Sequence, residues 1–255
     1  MLSEQIFAAA EPTLEGKIVT DLAIGISLIG IQLDDHETGV AYTLRDALPS
    51  GCGAFSFARD VIGSDAYDVA SLCVTGEDDI QRGVAAAVLS AAASGLVSVD
   101  SDEKNGPFGV GALPNDRLAL VGYMAPIAKQ FSGLVADTVI FDRGRELAGK
   151  QDVTPCDLQD EILPTCDIVV VSGTSITNHS IDHLLEICTG AREFVLTGTS
   201  TPMFCQGYLH TGVTCLGGSL WKAEHKPDIF RNIICGGGIA SCHGYFIKKN
   251  VRIRE

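Results

Sequence analysis

The second half of this chain repeats one pattern: a nearly continuous apolar run closes on a small or polar residue, and helical spacing follows. Arg117-Leu-Ala-Leu-Val-Gly122 is the first run, with a helical period through Ile127 and Phe131. Ala136-Asp-Thr-Val-Ile-Phe-Asp142 is the second, and a helix is expected around Leu158–Ile162. Cys166-Asp-Ile-Val-Val-Val-Ser-Gly173 is the third, followed by Ile181, Leu184, Leu185 and Cys188 at helical intervals. Glu193-Phe-Val-Leu-Thr-Gly198 and Gly212-Val-Thr-Cys-Leu-Gly217 complete the series. Strands buried on both faces lose apolar–polar alternation, and the intervening helices supply the crossovers that parallel pairing needs. The pattern predicts a Rossmann-like, doubly wound parallel sheet.

The first half reads differently. Ser3 to Ala10 is a short helix candidate with Ser3 placed to cap it. The β-branched runs Lys17–Ile24, Ser27–Leu33 and Gly39–Leu44 follow, separated by turn chemistry such as Asp34-Asp-His-Glu37. Short connections predict an antiparallel meander. A helix begins at Asp78-Asp79, carries Ile80, Val84, Val88 and Ala91 on one face, and packs closely through its alanines. The half reads as α+β. The polar, Gly- and Pro-punctuated stretch Val99–Asp116 marks a connection, which divides the chain into residues 1–105 and 106–255.

Charge is distributed unevenly across that division. The total is −14, but residues 1–115 hold five basic and seventeen acidic residues, and residues 116–255 hold thirteen and fifteen. A chain this acidic does not suit the phosphate backbone of nucleic acid. Nine cysteines without a C-x-x-C pair, and no N-terminal signal pattern, predict a reducing, cytoplasmic setting with most thiols buried as small hydrophobes. No apolar stretch reaches the ~20 residues of a membrane span. The uneven charge would also suit a homo-oligomer.

In open α/β sheets, ligands bind beyond the carboxyl ends of the strands. Those ends are Gly122, Asp142, Ser172-Gly173, Gly198 and Gly217-Gly218, in each case also explicable as tight turns. After the first run comes Gly122-Tyr-Met-Ala-Pro-Ile, which keeps only the first glycine of G-x-G-x-x-G; Tyr123 and Met124 would crowd a pyrophosphate. Asp142, 20 residues on, stands where a ribose-binding acid would be expected, or where an acid would simply close a turn. Ser172-Gly-Thr-Ser-Ile-Thr-Asn178 and Thr197-Gly-Thr-Ser-Thr-Pro-Met203 are near repeats. Their hydroxyls and free N–H groups could receive an anion or a polar ligand edge, or could cap the helices that follow. His179 and His183, at i and i+4, would share a helical face and could chelate a transition metal ion, or could belong to a solvated face. Cys52 and Cys242-His243 are isolated soft ligands.

These motifs resemble the heavy-metal-chelation family, long catalogued as a domain of unknown function. The resemblance covers nearly the whole chain, and Gly39-Val-Ala-Tyr-Thr-Leu44 looks like the family's first-half signature. It implies an enolase-N-terminal-like domain followed by a Rossmann-like domain, with the site in the cleft between them. Carried over by position, that site comprises Gly122, Gly173, Thr174, Asn178, Gly198, Ser200, Thr201 and Pro202, with Tyr42 and Thr43 from the first half. His179 stands where the family pattern suggests a small residue, so a metal role for it would be particular to this chain. The expected function is heavy-metal chelation, or handling of a metal-containing small cofactor. The alternative is an enzyme or sensor that binds a nucleotide-like or other anionic molecule at the Gly/Ser/Thr-rich strand ends.

Overall fold

The computed structural model describes residues 1–34, 36–45, 57–96 and 105–253. The chain enters through α1 (Leu2–Leu14) and a meander of β1 (Val19–Ile24), β2 (Leu28–Leu33) and β3 (Glu37–Tyr42). Three helices follow, α2 (Ala58–Val61), α3 (Ala66–Thr75) and α4 (Asp79–Ala92). The second half runs β4 (Arg117–Val121), α5 (Ala125–Phe131), β5 (Asp137–Phe141), α6 (Arg143–Leu147), α7 (Gln159–Ile162), β6 (Ile168–Ser172), α8 (Thr174–Thr177) and α9 (Ile181–Ile187). It closes with β7 (Glu193–Thr197), β8 (Cys215–Trp221), α10 (Lys226–Ile234) and β9 (Phe246–Arg252). The architecture is mixed α/β: a three-stranded antiparallel sheet in the order β1-β2-β3, and a six-stranded sheet in the order β5-β4-β6-β7-β8-β9. Among the described residues, no helix is long and apolar enough to cross a membrane.

The meander and α4 form as the residue pattern predicts. Asp78 caps α4 by accepting from the N–H groups of Ile80 and Gln81, satisfying donors that a helix end leaves unpaired. The helix lies against β3 so closely that a Cβ on Gly39 would stand 2.1 Å from the carbonyl oxygen of Ala87. Glycine on the strand and alanines on the helix are therefore one packing device. All six residues of β2 are buried, because the small sheet is covered twice. One face meets α4, and the other meets α10 through Ile229, Phe230 and Ile233, which pack with Ala23, Leu28 and Val40.

Several expectations need correction. Ser3 does not cap α1; it lies inside a helix that runs on to Leu14, and its hydroxyl is buried. Asp182 of α9 accepts the Leu2 N–H at 2.8 Å instead, so a carboxylate from the other half serves this helix start. The last parallel strand begins at Cys215, not Gly212, and Gly217-Gly218 lie within it. It runs on to Trp221 because β9 pairs with it antiparallel along its whole length, after its parallel pairing with β7 stops at Gly217. The sheet is thus mostly rather than wholly parallel. The helices α3 and α10 and the strand β9 carry no element in the sequence reading. The end of the connection is ordered cover for the large sheet: Phe108 and Val110 are buried with Leu118, Val170 and Cys215.

Candidate functional site

The large sheet reverses direction between β4 and β6. From β4 the chain steps outward to β5, then returns past β4 to build β6, β7 and β8 on the other side. Such a switch point opens a crevice at the carboxyl ends of the two strands, since the following loops leave in opposite directions. Gly122 and Ser172-Gly173 stand at this place. Gly122 has φ +104°, and a Cβ on it would lie 2.9 Å from the Cβ of Ser172. The next strand end, Gly198, has φ +126°. Both conformations favour glycine.

The two near-repeat segments meet here. Ser172 and Thr197 are register partners at the ends of β6 and β7. Thr201 packs against Gly173, its hydroxyl 2.4 Å from the place a Cβ on Gly173 would occupy. The Ser172 and Thr174 hydroxyls are hydrogen-bonded to each other at 2.9 Å and are partly exposed. Ser200 is buried and accepts the Tyr42 N–H at 2.8 Å, bringing the end of β3 to the end of β7. The hydroxyl of Thr43 donates to the Gly25 carbonyl, and the Pro202 carbonyl accepts from the buried Tyr208 hydroxyl at 2.8 Å. Gly122, Gly173, Thr174, Gly198, Ser200, Thr201 and Tyr42 are thus neighbours around one strand-end region. Thr43 and Pro202 are tied into its walls.

The N–H groups of the strand-end glycines themselves are taken up within the sheet. Gly122, Gly173 and Gly198 donate to Phe141, Thr197 and Gly217 carbonyls at 2.7, 2.8 and 2.9 Å. The parallel ladder continues one residue past each strand end, which consumes these donors. Asp142 caps α6 through the Arg145 N–H at 2.8 Å, and its other oxygen accepts the Tyr123 N–H at 2.8 Å. Its turn role therefore occupies both oxygens. Tyr123 is 38% exposed, with the Arg145 guanidinium 3.8 Å over its ring and paired to Asp152.

The histidine pair does not form a shared helical face. α8 ends at Thr177, and Asn178 Oδ1 accepts from both the N–H and the hydroxyl of Ser180 in an exposed turn. His179 then takes φ +58°, and α9 starts only at Ile181. His179 Nε2 lies 3.2 Å from the Cys73 carbonyl, whereas His183 Nε2 pairs with Asp160 at 2.8 Å on the surface. Cys242 is buried, and its sulfur accepts from Asn232 Nδ2 at 3.1 Å; Cys52 lies outside the described residues. Burial pushes the Cys73 and Cys188 thiols up to about 12, so they are protonated hydrophobes at neutral pH. No group of three or more His, Cys, Asp or Glu able to hold a metal ion occurs among the described residues. The described donor set therefore does not fit a bare heavy-metal ion.

Ser172, named from the sequence only as a strand end and a repeat hydroxyl, is the side chain that meets Gly122. Sequence reasoning missed Arg82, which gave no signal: it lies on α4, donates from Nε to the Thr177 carbonyl at 2.6 Å, and ties α4 to α8.

A family model described as "Putative heavy-metal chelation" (DUF364) matches residues 107–252, and a second with the same description (DUF4213) matches residues 7–93. A DUF364-family protein of unknown function from Pyrococcus horikoshii has a similar fold, with a TM-score of 0.78 and 19% identity over 99% of this chain and 100% of that one. Another, from Desulfitobacterium hafniense DCB-2, gives a TM-score of 0.76 and 15% identity over 98% of each chain. At these identities the likeness is one of fold. No curated protein matches the chain.

Proposed function

Since the chain belongs to this heavy-metal-chelation family, we propose that it handles a metal-containing small cofactor, held in the cleft where the first half meets the strand ends of the second. We read residues 1–105 as an enolase-N-terminal-like domain and residues 106–255 as a Rossmann-like one. The observation that carries the reading is the switch point between β4 and β6, walled by Gly122 and Ser172 and approached by β3 through the Tyr42–Ser200 hydrogen bond. Crevices of this kind are the usual ligand positions of open α/β sheets. An organic moiety supplies metal donors of its own, which reconciles the family description with the absence of a ligand cluster among the described residues. Gly122, Gly173, Thr174, Gly198, Ser200, Thr201 and Tyr42 form the floor and walls of this cleft, with Tyr123, Asp142 and Asn178 at its rim.

Protein purified under native conditions tests the reading. Elemental analysis and mass spectrometry of the released small molecules should find a metal and an organic species together in the wild-type protein. Both should fall in Gly122→Ala and Ser172→Val, with the fold checked by circular dichroism. Equal content in the variants and the wild type would remove the crevice as the site.

A further inference from the structure

Exposed apolar side chains and unpaired acids stand together at the corner where α2 gives way to α3. Ile62 follows α2, Tyr67 lies in the first turn of α3, and Ile18 forms a bridge with Asp65 between them; all three are exposed. Residues 57–81 carry six acidic side chains against one basic, Arg59. Three of the acids are engaged locally: Asp65 and Asp78 cap α3 and α4, and Asp79 pairs with Arg82. The carboxylates of Asp60 and Asp68 have no partner among the described residues, and both residues are exposed.

A cavity of about 230 Å³ opens between α2, α3 and the start of α4. Phe57, Val61, Val69 and Leu72 make its surface mainly apolar, and Asp60 and Asp68 are also in its lining. Pockets for cofactor-sized molecules run to about 300–1,000 Å³. This one is smaller and suits an apolar side chain presented by a partner. The surrounding acidity disfavours nucleic acid and anionic lipid, and it favours a cation next to that side chain. Helices that carry an apolar anchor and basic residues on neighbouring turns combine the two. We propose that this corner docks a basic amphipathic helix of a partner protein, its apolar anchor in the cavity and its lysine or arginine side chains on Asp60 and Asp68. The cavity shares no lining residue with the strand-end cleft, so the proposal does not depend on the function of that cleft.

Fluorescence anisotropy of labelled peptides titrated with the full chain tests it. The probes are a leucine–lysine peptide with leucines at helical spacing, a shuffled peptide of the same composition, and the matching leucine–glutamate peptide. The expected result is saturable binding of the first, one per chain and weakened by salt, with little or none of the other two. Asp60→Asn/Asp68→Asn should lower the affinity about tenfold, and Ser64→Phe, in the cavity lining, should abolish binding by filling the space. Thermal unfolding checks that each variant is folded. Asp157→Asn/Glu161→Gln removes the same charge from exposed positions in the second half and should leave the affinity unchanged. An equal fall in that control, equal binding of the shuffled peptide, indifference to Ser64→Phe in a folded variant, or no binding of the leucine–lysine peptide would each overturn the proposal. Sedimentation of the chain alone supplies the other arm: a dimer that Asp60→Asn/Asp68→Asn converts to monomer would assign the surface to a second copy and overturn it as well.

Discussion

The backbone N–H of Tyr42, the last residue of β3, donates to the side-chain oxygen of Ser200, in the loop after β7, at 2.8 Å. The bond joins residues 158 positions apart, and Ser200 is 1% exposed. In Ser200→Ala the N–H loses its acceptor, and a stranded donor costs about 1–3 kcal/mol. The urea midpoint should fall accordingly with the m-value unchanged. Ser200→Thr, which keeps the oxygen, should recover most of the loss if its methyl group is accommodated; equal losses in both would assign the effect to packing.

Glu193 and Arg252 tie β7 to β9 across β8. Arg252 donates from two nitrogens to the two carboxylate oxygens at 2.8 and 3.0 Å, and Glu193 is largely buried. Arg252→Met leaves that carboxylate without its cation, and breaking a buried pair costs about 3–5 kcal/mol; the partial exposure of Arg252 places the expected loss at the lower end of that range. The double variant Glu193→Gln/Arg252→Met should be more stable than Arg252→Met alone. A double variant no better than the single would show that the uncompensated charge is not the cause.

Gly39 is expected to be among the least replaceable residues in the first half. A Cβ there would lie 2.1 Å from the Ala87 carbonyl oxygen and 2.3 Å from the Ala91 nitrogen, both backbone atoms that cannot swing aside. Gly39→Ala should destabilise by about 3 kcal/mol, the upper part of the range for overpacking. Gly95→Ala, where a Cβ would meet nothing within 4 Å, serves as the comparison and should differ little from wild type in thermal unfolding.

Alkaline pH should expose the buried thiols. Burial raises Cys73 and Cys188 from the ordinary 9.0 to about 12 in the folded chain. A group whose folded pKa is raised favours the native state fully below its unfolded value, and that advantage is lost as pH climbs toward the folded one. The contribution of these thiols is therefore level up to about pH 8 and declines between about 9 and 12. Denaturation midpoints compared across pH for the wild type and for Cys73→Ala/Cys188→Ala should show a shallower alkaline decline in the variant, although both cavities lower its starting stability.

What the sequence reveals, and what it conceals, follows from how each element is buried. The runs at β4, β6 and β7 are legible because both sheet faces are covered, so the strands are apolar without interruption. β9 is not, because Phe246-Ile-Lys-Lys-Asn-Val-Arg252 is an edge strand with Ile247 and Lys248 exposed and the rest half-buried, and lysines of this kind are common on edge strands. α3 left a readable trace in Asp65, whose side chain accepts the Tyr67 N–H, and in Val69 and Cys73 at helical spacing. At the candidate site, the glycines and hydroxyls could be named from position along the chain. That the N–H groups of Gly122, Gly173 and Gly198 are already taken could not, because each acceptor belongs to a neighbouring strand. His179 and His183 were misplaced for a local reason: the Asn178 turn divides what their spacing presents as one helix.

The helix that covers the outer face of the first sheet consists of residues 226–234. A ribosome makes the meander long before it makes this cover. Until then Leu28 and Val40 have only half of their eventual surroundings, however complete the strands themselves are. The meander therefore cannot finish folding in the order in which it is made, and the nascent chain carries an open apolar surface until residues 226–234 arrive. Translation rate and chaperone supply should accordingly bear on the yield of this protein, through the time for which that surface stays uncovered.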